Sequence, residues 1–163
     1  MKQRSESELL HLTAAYCSAA ERCIQDVQKK ITSYGGTSEM AERIISYLIK
    51  EKFIDESRYC RSFVNDKFRF NHWGKTKISY ELRRKGIAPA LFSDALDCIN
   101  EEDYMETLSE LLINKKRNTK GNSAQDVFNK LYRFAVGRGF ENDIIIKCLK
   151  PLVKQNADAE DME

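Results

Sequence analysis

Residues 78–99 read ISYELRRKGIAPALFSDALDCI, and the placement of apolar side chains in this stretch decides the fold class. Ile78 and Leu82 stand four apart, the spacing of neighbours on one helical face. Gly86 interrupts the pattern, Pro89 follows the Gly86-Ile87 pair, and Leu91, Phe92, Ala95, Leu96 and Ile99 resume it. Glycine takes the left-handed conformation that ends a helix at little steric cost, so the stretch reads as helix, turn, helix.

The same pattern occurs three times. Gly35, Gly86 and Gly139 are 51 and 53 residues apart. Val27, Ile78 and Leu131 stand eight positions before each glycine, and Ile31, Leu82 and Ala135 four before. Met40, Leu91 and Ile144 stand five after, and Ile45, Leu96 and Leu149 ten after. Agreement at independent offsets marks an internal repeat whose units share apolar faces with their neighbours. No segment alternates as a strand does. The predicted fold is therefore all-α: three tandem three-helix repeats at 9–54, 55–100 and 101–154, forming an elongated, curved array and followed by an acidic, disordered tail at 155–163.

Within this frame, Ser5 or Ser7 is a candidate cap for the first helix, and Ser18 with Glu21 three positions later has the form of a capping box for the second. Thr37 or Ser38 opens the third, and Asp55 caps a helix with Tyr59, Phe63, Val64 and Phe68 on its buried face. Trp73-Gly74 breaks that helix. Residues 115–124, KKRNTKGNSA, have the weakest apolar pattern in the body and read as an exposed loop.

Composition narrows the function classes. No run of apolar residues is long enough to span a bilayer, and the N-terminal MKQRSESELL has no signal-peptide core, which points to the cytoplasm and no membrane partner. Cys17, Cys23, Cys60, Cys98 and Cys148 contain no CxxC pair and are odd in number, so buried free thiols are expected rather than disulfides or a zinc site. His11 and His72 lack carboxylates at metal-ligand spacing and read as structural or surface residues. Phosphate-binding glycine loops, HExxH and GxSxG are all missing, so no catalytic residue, metal or cofactor is expected. The pair Asp55-Glu56 reads as a helix start favoured by the dipole.

Charge is the stronger functional signal. The net charge of +2 rises to about +6 without the tail, where Asp158, Glu160, Asp161 and Glu163 face no base. Between Lys67 and Lys85 lie Lys67, Arg69, Lys75, Lys77, Arg83, Arg84 and Lys85 against one acid, Glu81. With Ile78 and Leu82 inward, Lys75, Ser79 and Arg83 form an outward row, and Phe68, Phe70 and Trp73 offer rings that can stack if exposed. Lys115, Lys116 and Arg117, with Lys120, form a second cluster, and Lys130, Arg133 and Arg138 a third. Such spacing along a repeat array suits a long polyanion or filament. Direct, non-sequence-specific DNA binding is the alternative reading.

The stretch Phe53-Ile54-Asp55-Glu56-Ser57-Arg58-Tyr59-Cys60 followed by Phe63-Val64, the stretch Gly74-Lys75-Thr76-Lys77-Ile78, and the stretch Glu81-Leu82-Arg83-Arg84-Lys85-Gly86-Ile87 together resemble the central signature of the RecX regulatory proteins. Arg138-Gly139-Phe140 followed by Ile145 resembles their final-repeat motif. The resemblance covers roughly residues 9–153. It implies a cytoplasmic modulator, usually an inhibitor, of the RecA recombinase, lodged in the groove of the RecA filament on single-stranded DNA, with no cofactor. It further implies that Asp55, Glu56 and Arg58 fix a junction between repeats, while Lys75, Lys77, Arg83, Arg84 and Lys85 face the groove. The sequence departs from the family pattern at Tyr16-Cys17, where relatives place a basic residue before the serine, and at the glycine-containing Val136-Gly137.

Overall fold

The computed structural model describes the backbone of residues 3–160 and side chains as far as Leu152. Among the described residues the chain is all helix and turn: α1 (Glu6–Ala19), α2 (Ile24–Ser33), α3 (Ser38–Lys50), α4 (Glu56–Arg69), α5 (Lys75–Arg84), α6 (Pro89–Asp97), α7 (Glu101–Arg117), α8 (Ala124–Gly137) and α9 (Asn142–Glu160). Helices α1, α2 and α3 pack on one another, as do α7, α8 and α9, the arrangement of three-helix repeats. The expected acidic tail at 155–163 lies outside the residues whose side chains are described.

Two compact units are separable. One comprises Met1–Val64 with Glu81–Ser93, the other Asn65–Tyr80 with Asp94–Glu163. In the first unit Leu9, Val27, Ile31, Ile44, Ile45, Leu48 and Ile54 form one core cluster. Each such side chain contributes about 2 kcal/mol by leaving water. Buried Thr13 keeps its hydroxyl satisfied by donating to the Leu9 carbonyl at 2.8 Å. The second unit buries Tyr104, Leu108, Leu112, Leu131, Ala135, Phe140, Ile145 and Leu149.

All three repeat glycines have positive φ, 86° at Gly35, 78° at Gly86 and 93° at Gly139. At each one the following residue's N–H reaches back five positions: Gly36 to the Ile31 carbonyl at 2.9 Å, Ile87 to Leu82 at 3.2 Å and Phe140 to Ala135 at 3.2 Å. These bonds satisfy carbonyls that a helix end leaves unpaired. A fourth helix end repeats the geometry without glycine, for Lys52 has φ 62° and Phe53 N–H bonds the Leu48 carbonyl at 2.8 Å.

Several sequence expectations require correction. Ser18 starts no helix: it lies inside α1 and its hydroxyl donates back to the Ala14 carbonyl at 2.9 Å. The second helix begins at Ile24 instead, where the Cys23 N–H donates to Asp26 Oδ2 at 3.2 Å. The loop read at 115–124 is shorter, because α7 continues through Arg117 and α8 starts at Ala124. Leu91 is exposed, and Phe92 takes the buried place in α6. Cys98 is exposed as well, whereas Cys17, Cys23, Cys60 and Cys148 are buried.

The glycine turns supply a direct test. A Cβ at Gly86 meets nothing within 4 Å, so Gly86→Ala carries only the left-handed strain. It is expected to cost about 1–2 kcal/mol. A Cβ at Gly139 would lie 2.2 Å from the Lys77 Cβ and 2.7 Å from the Lys77 nitrogen. Gly139→Ala is therefore expected to cost at least about 1 kcal/mol more than Gly86→Ala in urea unfolding. Equal losses would contradict the packing described at Gly139.

Candidate partner-binding surfaces

In the first unit the start of α4 acts as a fastener. Asp55 Oδ1 accepts the Arg58 N–H at 3.1 Å and so caps α4. Glu56 Oε2 accepts the Ile24 N–H at 3.1 Å, taking one of the donors that the start of α2 leaves unpaired. Arg58 then bonds Glu21 through Nε at 2.5 Å, and the Lys52 carbonyl through Nη2 at 3.1 Å. Glu21, the residue read as half of a capping box, holds a guanidinium instead. These three side chains tie α4 to α2 and to the end of α3.

The end of α5 is tied down in a similar way. Gln25 Nε2 donates to the Arg84 carbonyl at 3.3 Å, and Lys85 Nζ pairs with Asp26 at 3.3 Å. The half-buried pair puts Lys85 near the Tyr59 ring, 5.9 Å from its centroid. Burial acts to raise the Asp26 pKa, but the Cys23 bonds and the Lys85 ammonium outweigh it and hold the carboxyl below its ordinary value. Tyr59 and Cys60 are pushed up by burial, the thiol to about 11. Arg83 is exposed, and Arg84 is largely so, 3.3 Å from Glu81.

The second unit is organised around the start of α5, where the preceding residue, Gly74, has no side chain to cap the helix. Its first three N–H donors go elsewhere: Gly74 to the Arg138 carbonyl at 2.8 Å, Lys75 to the Tyr104 hydroxyl at 2.9 Å and Thr76 to the Gly139 carbonyl at 3.0 Å. The Tyr104 hydroxyl donates in turn to Glu141. Burial, then the Glu141 carboxylate, push the Tyr104 pKa up. A Cβ at Gly74 would lie 2.2 Å from the Gly139 carbonyl oxygen, so only glycine permits this approach. Arg138 Nη2 donates to the Asn71 carbonyl at 2.5 Å.

This geometry sorts the basic candidates. The Nζ atoms of Lys67 and Lys77 lie 4.9 and 4.5 Å from the Trp73 ring centroid, and Lys75 Nζ lies 5.1 Å from that of Tyr104. Arg69 Nε donates to Asn65 at 2.7 Å. Lys115 sits over Phe134, Lys116 donates to the Leu152 carbonyl, and Lys130 pairs with Asp126. Arg117 and Arg133 are exposed. The outward row expected at Lys75, Ser79 and Arg83 is fully exposed only at Arg83. Sequence reasoning missed Asp26 and Glu141, whose partners are remote in the chain.

Among the described residues no group of three or more His, Cys, Asp or Glu is placed to hold a metal ion, and no helix is long and apolar enough to cross a membrane. The sequence profile of the RecX second three-helix domain matches residues 55–96, and that of the third three-helix domain matches residues 101–149. The chain belongs to the RecX family.

Regulatory protein RecX of Clostridium acetobutylicum is 29% identical to it over 136 residues, which are 81% of this chain and 63% of the relative. The RecX protein of Clostridium botulinum strain Eklund 17B is 30% identical over 132 residues, 79% of this chain and 61% of the relative. The chain thus spans less than two thirds of the length of these curated relatives. The crystal structure of RecX from Lactobacillus salivarius superposes with a TM-score of 0.79 at 24% identity, covering 90% of this chain and 96% of that one. A second RecX crystal structure gives 0.81 at 22% identity, covering 88% and 72%. Both show the same fold.

The RecX signature stretches coincide with the fasteners. Phe53–Cys60 carries Asp55, Glu56 and Arg58, and the two glycine-containing motifs Gly74–Ile78 and Arg138–Phe140 bond each other. One pH-dependent consequence follows for Asp26. Its carboxyl is held below the ordinary value, so its contribution is complete above the unfolded pKa, about 3.9, and is lost as pH falls through the lower folded value. Asp26→Asn is expected to cost about 1 kcal/mol at pH 7 and to flatten the loss of stability below about pH 4. Parallel denaturation curves for the two proteins from pH 7 to pH 3 would contradict this role.

Proposed function

We propose that this RecX-family chain is a cytoplasmic, non-catalytic modulator of RecA that binds the RecA filament on single-stranded DNA and lowers its ATP hydrolysis. The observation that carries the reading is the match of both its second and third three-helix domains to RecX. The repeats at 9–54, 55–100 and 101–154 are the frame in which its basic residues are presented. Binding through many separated contacts adds by effective concentration, so occupancy can alter subunit addition or the nucleotide-dependent state of a filament without covalent chemistry.

The partner-facing set is narrower than charge alone suggests. Lys85 and Arg138 are engaged in holding Asp26 and the Asn71 carbonyl. Arg83, Arg84, Arg117 and Arg133 present guanidinium groups at exposed positions, where a planar fork meets carboxylate or phosphate in two parallel bonds. Lys67, Arg69, Lys75, Lys77, Lys115, Lys116 and Lys130 complete the proposed set with weaker, packed ammonium or tethered contacts.

Arg83→Glu with Arg84→Glu, leaving Lys85 in place, tests the reading. Inhibition of RecA ATP hydrolysis is expected to need at least about ten times more protein, an effect of about 1.4 kcal/mol, with melting temperature unchanged. Undiminished inhibition would exclude these two residues as filament contacts. Affinity for naked DNA equal to that for the filament, with the same steep salt dependence, would instead favour a direct DNA-binding protein.

A further inference from the structure

Helical packing gives no reason for the side chain at residue 70. Phe70 is 75% exposed, the most open large apolar side chain among the described residues. It stands in the turn between α4 and α5 on a backbone pinned from both sides. Its own N–H bonds the Asp66 carbonyl at 2.9 Å, His72 N–H bonds Phe68 at 3.1 Å, and Trp73 N–H bonds Lys67 at 3.0 Å. Arg138 holds the Asn71 carbonyl, and His72 has φ 55°. An aromatic ring is thus presented to solvent on a rigid turn, already paid for in backbone entropy.

The residues flanking it in the chain are charged or polar rather than apolar, exposed Asp66 four positions before it among them. Lys67 and Lys77 Nζ both lie within 5 Å of the half-buried Trp73 ring centroid, and exposed Arg69 precedes Phe70 directly. Asn71 and His72 are exposed too. An apolar protein contact would call for a contiguous oily patch, whereas here a single ring is set among polar and charged groups. That combination matches the π-face of a base with phosphates on either side. A duplex hides its base faces in the stack, so the match is to a single strand.

We propose that Phe70 is a stacking platform for an unpaired base of single-stranded nucleic acid, with Lys67 and Lys77 meeting the flanking phosphates. Asp103, Glu106 and Glu110 line a groove of about 380 Å³ together with Phe68, Arg69 and His72. Their carboxylates repel phosphate and direct the strand away from that groove, towards Lys67 and Lys77. The platform goes beyond the filament reading, because it needs no recombinase and is tested on the naked strand.

The test compares oligothymidylate with an abasic oligonucleotide of equal length and charge, and with a duplex, by anisotropy of the labelled strand against the full chain. Trp73, the only tryptophan in the chain, gives an independent fluorescence readout. The wild type is expected to bind oligothymidylate roughly ten times more tightly than the abasic strand. Phe70→Ala should bind the two alike with its salt dependence unchanged, Phe70→Leu should behave likewise, and Phe70→Tyr should keep the preference. Lys77→Gln should weaken both strands equally and lower the salt slope by about 0.7.

Equal wild-type affinity for the thymidine and abasic strands would overturn the proposal, as would a duplex bound as tightly as the single strand. Phe70→Ala that spares the strand but weakens binding to RecA without nucleic acid would also overturn it, assigning the ring to a protein contact. Retained inhibition of RecA with no base preference would sink the platform and leave the filament reading standing.

Discussion

A helix cannot bond its first amide N–H groups internally, and α5 answers that constraint with a distant part of the chain. Its donors at Gly74, Lys75 and Thr76 go to the Arg138 and Gly139 carbonyls and to the Tyr104 hydroxyl. The solution depends on two glycines, for a Cβ at either would collide with the opposing segment. It also requires a buried tyrosine whose hydroxyl accepts from Lys75 while donating to Glu141. The two RecX motifs around Gly74 and Gly139 are therefore one structural feature seen twice in the sequence.

The first unit solves the same problem with side chains. Glu56 supplies the acceptor for Ile24, Asp26 for Cys23, and Asp55 for Arg58. Lys85 and Arg58 then neutralise the carboxylates at Asp26 and Glu21. Charge that looks functional in the sequence is thus partly consumed in holding helix ends. Among the candidate cations, Arg69, Arg83, Arg84, Lys115, Arg117, Lys120, Lys130 and Arg133 remain exposed, together with the Phe70 ring.

The helical faces and the three glycine turns were legible in the sequence because both follow from local rules: spacing near four, and a residue tolerant of positive φ. The buried positions Val27, Ile31, Ile78, Leu82, Leu131 and Ala135 follow that spacing. Helix starts were less legible. Ser18 with Glu21 and Cys23 with Asp26 have the same form, and the choice was made by α1 continuing through Ser18 and by a remote arginine claiming Glu21. Leu91 and Phe92 both suit a buried site, and packing rather than period selected Phe92. For the surface, the run from Lys67 to Lys85 read as one patch, yet its residues belong to different units and have different partners. Pairs such as Lys85 with Asp26 and Arg138 with Asn71 join positions 59 and 67 residues apart, and no local pattern announces them.

Amide hydrogen exchange at Gly74, Lys75 and Thr76, followed by NMR in the full chain, probes the central constraint without perturbing it. Protection comparable to that of core amides such as Leu108 and Leu131 is the expected result. Exchange at the rate of a fraying helix terminus would mean that the Arg138-Gly139 turn and Tyr104 do not hold α5, and the placement of Trp73 and its lysines would lose its basis.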